Sequence, residues 1–81
     1  MKYYIYILFS LKSGIRYVGL TKDIDRRLKE HNGGKSKFTK GHIPWELKHF
    51  EEFATRTEAR EREKYLKSGV GREYLNKILA S

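Results

Sequence analysis

Two phenols, a guanidinium, an imidazole and a carboxylate could share chemistry in this chain: Tyr6, Tyr17, Arg27, His31 and Glu63. Attack on a phosphate ester needs a base for the water, positive charge against the phosphate oxygens, and stabilisation of the leaving oxygen. A guanidinium fork matches two phosphate oxygens. Arg27 is three residues after Ile24, and His31 three after Leu28. Both therefore sit beside an apolar helical stripe, partly shielded and turned toward the sheet. The plainer reading is a basic helix with a solvated face. Tyr6 and Tyr17 lie either side of a short break, as near neighbours across a hairpin would. Ordinary strand tyrosines with solvated hydroxyls would look the same. Gly19 favours the first reading, because a strand glycine lets a ligand or another backbone come close. Glu63 interrupts the stripe Ala59, Leu66, Val70. An acid there must be paired or hold a cation, or else an i,i+4 pair with Lys67 draws it to solvent. His42 and His49 have no partners at metal-ligand spacing, and His49 reads as a half-buried strand residue.

The elements that would position these groups follow from pattern. "YYIYILF" (residues 3–9) reads as a buried central strand, and "IRYVGL" (15–20) as a second. The short "SLKSG" between them makes an antiparallel hairpin. Thr21 or Asp23 caps a helix beginning near residue 23, with Ile24 and Leu28 inward and Gly33-Gly34 as its stop. A basic loop follows, residues 35–44. "WELKHFEEF" (45–53) alternates as a third strand with Trp45, Leu47, His49, Glu51 and Phe53 on one side. "TRTE" (55–58) is a capping-box pattern opening a helix to about Leu66–Ser68, which Gly69 and Gly71 end. A last helix takes 72–79, burying Leu75, Ile78 and Leu79. The order β-β-α-β-α-α predicts an α+β fold with a small, mostly antiparallel sheet.

Size and charge bound the function. Eighty-one residues make one domain, 1–81, with one small core. The formal net charge of +8 points to a polyanion, nucleic acid first. No segment is long enough to span a bilayer, and no wide basic amphipathic helix suggests a membrane surface. The absence of cysteine excludes a disulfide scaffold and a cysteine-ligated zinc finger, and favours a cytoplasmic location.

"YIY" at 4–6 followed by "YVG" at 17–19 resembles the GIY-YIG nuclease signature. Arg27, Glu63 and Lys67 continue the family's order, and "TEAREREKYLKSGVGREYLNK" (57–77) resembles the C-terminal half of its small single-domain members. These are similar to the nuclease domain of the bacterial excision-repair incision subunit. The resemblance implies a three-stranded antiparallel sheet flanked by helices. It implies a Mg²⁺- or Mn²⁺-dependent endonuclease cutting nucleic acid, DNA ahead of RNA, in repair or processing. By the same resemblance Tyr6 is the general-base candidate, Tyr17 lines the site, Arg27 stabilises the phosphate, and His31 fills a His-or-Tyr position. Glu63 is the metal ligand and Asn76 matches a late asparagine. Tyr4 stands where the signature has Gly, and Leu20 where repair enzymes often have Lys, a contact Lys22 could replace. Lys35, Lys37, Lys40 and Arg72 would track the backbone with little base specificity. Phe38 would either stack on a base or be buried beneath the loop. Arg27 and a bound cation should lower the Tyr6 phenol's pKa. With no recognition domain attached, target choice would come from the nuclease domain itself or from a protein partner. The alternative is a nucleic-acid-binding module that keeps the fold without cutting.

Overall fold

The computed structural model describes residues 1–79. Three strands, β1 (Tyr3–Ser10), β2 (Arg16–Thr21) and β3 (Trp45–Phe53), form one antiparallel sheet in the order β2-β1-β3. Helix α1 (Ile24–Asn32) follows the hairpin, and α2 (Arg56–Lys67) and α3 (Gly69–Leu79) follow β3. The α+β class and the β-β-α-β-α-α order agree with expectation. As expected for a central strand, β1 is buried on both faces. Ile5 and Ile7 point to one side, Tyr6 and Leu8 to the other.

Each face has its own cluster. Ile5 and Ile7 pack against Ala59 and Leu66 of α2 and Leu75 of α3. Tyr6, Leu8 and Trp45 pack with Ile24 and Leu28 of α1. The sheet thus separates α1 from the α2–α3 pair. Caps fix the helix starts. The Asp23 carboxylate accepts the Arg26 backbone N–H at 3.1 Å, and Thr55 Oγ1 accepts that of Glu58 at 3.2 Å.

Three details differ from expectation. First, β3 does not keep one set of side chains on one face. Ile7 pairs with His49 while Leu8 pairs with Leu47, so Lys48 is an extra residue in a β-bulge. Trp45 and Leu47 join the Tyr6 face, whereas His49, Glu51 and Phe53 turn toward α2. There Arg62 donates to both Glu51 oxygens, at 2.7 and 3.1 Å. Second, α3 starts three residues early. Ser68 Oγ accepts the Gly71 backbone N–H at 3.2 Å, so a polar cap converts an apparent stop into a start. Third, Val70 is 64% exposed and Ile78 is also exposed, so neither belongs to the core stripe. The longer α3 is turned so that Gly71 and Leu75 face inward.

Gly71 is where α3 meets the end of α2. A Cβ there would overlap the Tyr65 carbonyl oxygen and lie 2.5 Å from Leu66 Cα. Backbone cannot yield as a side chain does. Gly71→Ala is therefore expected to cost about 2 kcal/mol or more and lower the midpoint of thermal unfolding by roughly 10 °C. Circular dichroism melts of both proteins check this, and an unchanged midpoint would refute the close helix approach.

Candidate active site

The site begins with a pairing across the hairpin. Tyr6 lies opposite Gly19, and Leu8 opposite Tyr17. All four residues share one face, so Tyr6 and Tyr17 are diagonal neighbours, with ring centroids 6.2 Å apart. A Cβ on Gly19 would overlap the Tyr6 ring. The space that this glycine leaves is filled by the chain's own phenol. The Tyr6 ring therefore extends from the central strand across the edge strand β2.

Burial of the Tyr6 hydroxyl requires a partner. Its oxygen is 2.9 Å from His31 Nε2, and His31 Nδ1 is 2.7 Å from Thr39 Oγ1. His31 is fully buried rather than partly shielded, because the segment after α1 folds back over it. A 3-10 turn at Thr39–His42 holds that segment. The Trp45 indole N–H donates to the Thr39 carbonyl at 2.8 Å, and Ser10 Oγ donates to the His42 carbonyl at 2.6 Å. Asn32 accepts the Trp45 backbone N–H at 2.6 Å and donates to the Trp45 carbonyl at 3.1 Å. Thr39 was absent from the sequence-derived set. A threonine in a run of lysines carries no signal of its own until the fold closes the loop.

Charge reaches Tyr6 from both sides of the sheet. Burial pushes its phenol up to about 12, and neighbouring Tyr17 and Glu63 add to the rise. Arg27 opposes the shift by charge and hydrogen bonding, but burial prevails. The expectation of a lowered phenol therefore does not hold in the protein alone. His31 is held below its ordinary value, first by burial and then by Arg27, with Glu30 opposing. Arg27 also donates to Glu30 at 2.9 Å.

Glu63 resolves its two readings by combining them. It accepts from Lys67 at 3.0 Å through Oε2, yet its side chain stays only 16% exposed. The lysine reaches to the acid rather than drawing it into solvent. Among the described residues no cluster of three or more acids, histidines or cysteines could cage a metal. One half-buried carboxylate, with Oε1 outside that ion pair, still fits a cation that takes most ligands from water and substrate.

The remaining basic residues divide. Arg72 and Lys67 line a groove of about 550 Å³ along the edge of β2, together with Tyr17 and Phe38. Lys35, Lys37 and Lys40 are exposed on the segment after α1. Lys22 lies over the Tyr3 ring, 5.5 Å from its centroid. Asn76 is exposed and accepts from Arg16 at 2.6 Å, outside the Tyr6 cluster. His42 meets Ser13 at 2.9 Å and His49 meets Glu51 at 3.0 Å; neither joins the site.

Residues 2–77 match the family profile described as the GIY-YIG catalytic domain. The chain belongs to the GIY-YIG family. It is 43% identical over 67 residues to a UPF0213 protein of Haloquadratum walsbyi, covering 82% of this chain and 74% of that protein. It is 36% identical over 78 residues to one of Staphylococcus epidermidis, covering 95% and 94%. The solution NMR structure of a UPF0213 protein from Bacillus halodurans superposes with a TM-score of 0.58 at 38% identity, covering 96% of this chain and 85% of that one. GIY-YIG domains are nuclease domains, and their substrates are nucleic acids. No helix among the described residues is long and apolar enough to cross a membrane.

The buried imidazole gives this GIY-YIG protein a pH signature. Its depressed folded value lies below the unfolded value of about 6.5. Between the two, the unfolded chain binds more protons, so stability falls as pH falls from 6.5 toward the folded value. Above that window the ring is neutral in both states. Glu51 and Glu30, held down chiefly by Arg62 and Arg27, add their losses only below about 4.5. Urea midpoints of the wild type should therefore drop between about pH 7.5 and about pH 5.5, and those of His31→Gln should drop less. Parallel slopes would contradict a neutral buried His31.

Proposed function

We propose that this protein is a divalent-metal-dependent endonuclease that hydrolyses phosphodiester bonds in DNA. The observation that carries the reading is the cluster of Tyr6, Tyr17 and His31 on one face of the sheet, with Arg27 of α1 acting on the Tyr6 phenol. Glu63, the candidate metal ligand, belongs to α2 on the other face of the sheet.

In this reading the Tyr6 oxygen accepts a proton from the attacking water. An isolated phenolate is disfavoured, since burial raises the phenol to about 12. The chain supplies a second acceptor behind it. With His31 neutral and its Nδ1–H donating to Thr39, Nε2 accepts the Tyr6 O–H. Tyr6 then takes a proton from water as it passes its own to His31, so no free phenolate forms; the charge falls on an imidazolium that burial disfavours, and the proton must return through Tyr6 to the departing oxygen or to solvent. Arg27 stabilises the charge developing on the phosphate. Tyr17 positions water or phosphate beside Tyr6. Glu63 would hold Mg²⁺ or Mn²⁺, which when bound supplies positive charge at the leaving oxygen. Arg72 and the lysines Lys35, Lys37, Lys40 and Lys22 attract the backbone without reading bases. Asn76 would act on nucleic acid only through Arg16, its partner. Target choice would then come from the substrate's structure or from a protein partner, in repair or processing.

One observation favours the binding-module alternative: Lys67 already neutralises Glu63. Cleavage assays separate the two. Labelled DNA incubated with the wild type should be cut with Mg²⁺ or Mn²⁺ and spared when EDTA is added. Tyr6→Phe should slow cutting about 10²–10⁴-fold, and Arg27→Ala about 10²–10³-fold. Glu63→Gln should bind DNA but not cut it. Equal cutting by wild type and Glu63→Gln would end the enzyme assignment; binding without cutting under every metal would establish the alternative.

A further inference from the structure

Phe38 is 57% exposed, and its ring lies against two other rings. Its ring stacks on Tyr17 at 6.2 Å with 29° between planes, and the His42 ring flanks it at 5.4 Å. The next residue, Thr39, is fully buried and held through both its hydroxyl and its carbonyl. A lone exposed aromatic usually means little. This one sits on Tyr17, whose ring is itself 6.2 Å from that of Tyr6, so it is one ring removed from the candidate site.

Phe38 also forms one wall of the groove along β2. The groove combines apolar surface from Ile15, Val18 and Leu75 with three cations, Arg16, Lys67 and Arg72. Its volume of about 550 Å³ falls in the range of small-molecule sites, ~300–1,000 Å³. A flat apolar ring beside several cations fits a nucleobase joined to its phosphates. In a duplex both faces of each base are covered by neighbours. Only an unpaired or extruded base offers a face to an aromatic side chain.

We propose that Phe38 is a stacking platform for an unpaired base, so that the substrate is a single-stranded polynucleotide segment with its scissile phosphate beside the stacked nucleotide. The position of that phosphate rests on the nuclease reading above; the stacking itself does not. Thr39 fixes the loop before any substrate arrives, so little ordering is needed on binding.

The test is affinity, measured without metal by fluorescence anisotropy, for matched single-stranded and duplex DNA and for single-stranded RNA. Phe38→Ala should weaken single-strand binding about tenfold and change duplex binding less than about twofold. Phe38→Trp should restore single-strand binding. A 2-aminopurine base in the oligonucleotide should lose fluorescence on binding wild type but not Phe38→Ala. Comparing the DNA and RNA arms tells which sugar the groove accepts. Unchanged single-strand affinity in Phe38→Ala overturns the proposal. So does an equal loss on single strand and duplex that Phe38→Trp does not restore. If wild type cuts nothing with any metal while the Phe38 dependence holds, the nuclease reading falls and the platform stands. If wild type cuts and Phe38→Ala binds single strands normally, the platform falls and the nuclease reading stands.

Discussion

The packing of the Tyr6 ring over Gly19 is the constraint from which the rest follows. Tyr6 sits on the central strand, where a side chain would ordinarily be lost in the core. The missing side chain on the edge strand lets its ring pass outward, so its hydroxyl reaches α1 and the segment behind it. A residue of any size at position 19 would close that path. The glycine of one tripeptide and the tyrosine of the other are thus two halves of one contact. This is a physical reason for the pair to occur together, separate from any role in catalysis.

Burying a phenol imposes the next requirement. Its hydroxyl needs a partner, and that partner, His31, is buried too and needs one of its own. Thr39 ends the chain of demands, because a hydroxyl both donates and accepts. Low polarity raises the Tyr6 phenol and lowers the His31 imidazole, so both favour their neutral forms near pH 7. A proton passed to His31 makes a buried imidazolium, which burial and Arg27 disfavour. Arg27 on α1 draws the Tyr6 phenol down and Glu63 on α2 raises it slightly, both smaller than the effect of burial.

Much of the frame could be read from residue pattern. Turn chemistry fixed the hairpin, Asp23 and Thr55 marked two helix starts, and the alternation in 45–53 marked the third strand. What escaped were features that depend on contacts distant in sequence. The bulge at Lys48 leaves the burial alternation intact while moving His49, Glu51 and Phe53 to the other face, so periodicity alone could not show it. Gly69 and Gly71 looked like stops because the close approach of α3 to Tyr65 and Leu66 cannot be seen locally. For the site, residue types and spacing offered Tyr6, Tyr17, Arg27, His31 and Glu63 beside plainer readings, and the resemblance to the GIY-YIG signature joined them into one set. They did not reveal that His31 is buried, since burial comes from a loop whose own sequence looks merely basic. They also set Arg27 against Tyr6 without weighing desolvation, which is the larger effect.

That loop carries two opposed demands on adjacent residues. Thr39 is buried and fixed by His31 and Trp45, whereas Phe38 faces solvent on the Tyr17 ring. Phe38 immediately precedes the 3-10 turn that Thr39 opens, and only Thr39 is buried. One backbone position therefore sets both the line from Tyr6 to Thr39 and the outer aromatic surface. The fixing groups come from three separate elements: Ser10 at the end of β1, Asn32 at the end of α1 and Trp45 at the start of β3. A basic segment with only its own propensities would be free to move. These contacts fold it over His31, and the sheet and α1 must both be formed before that cover exists.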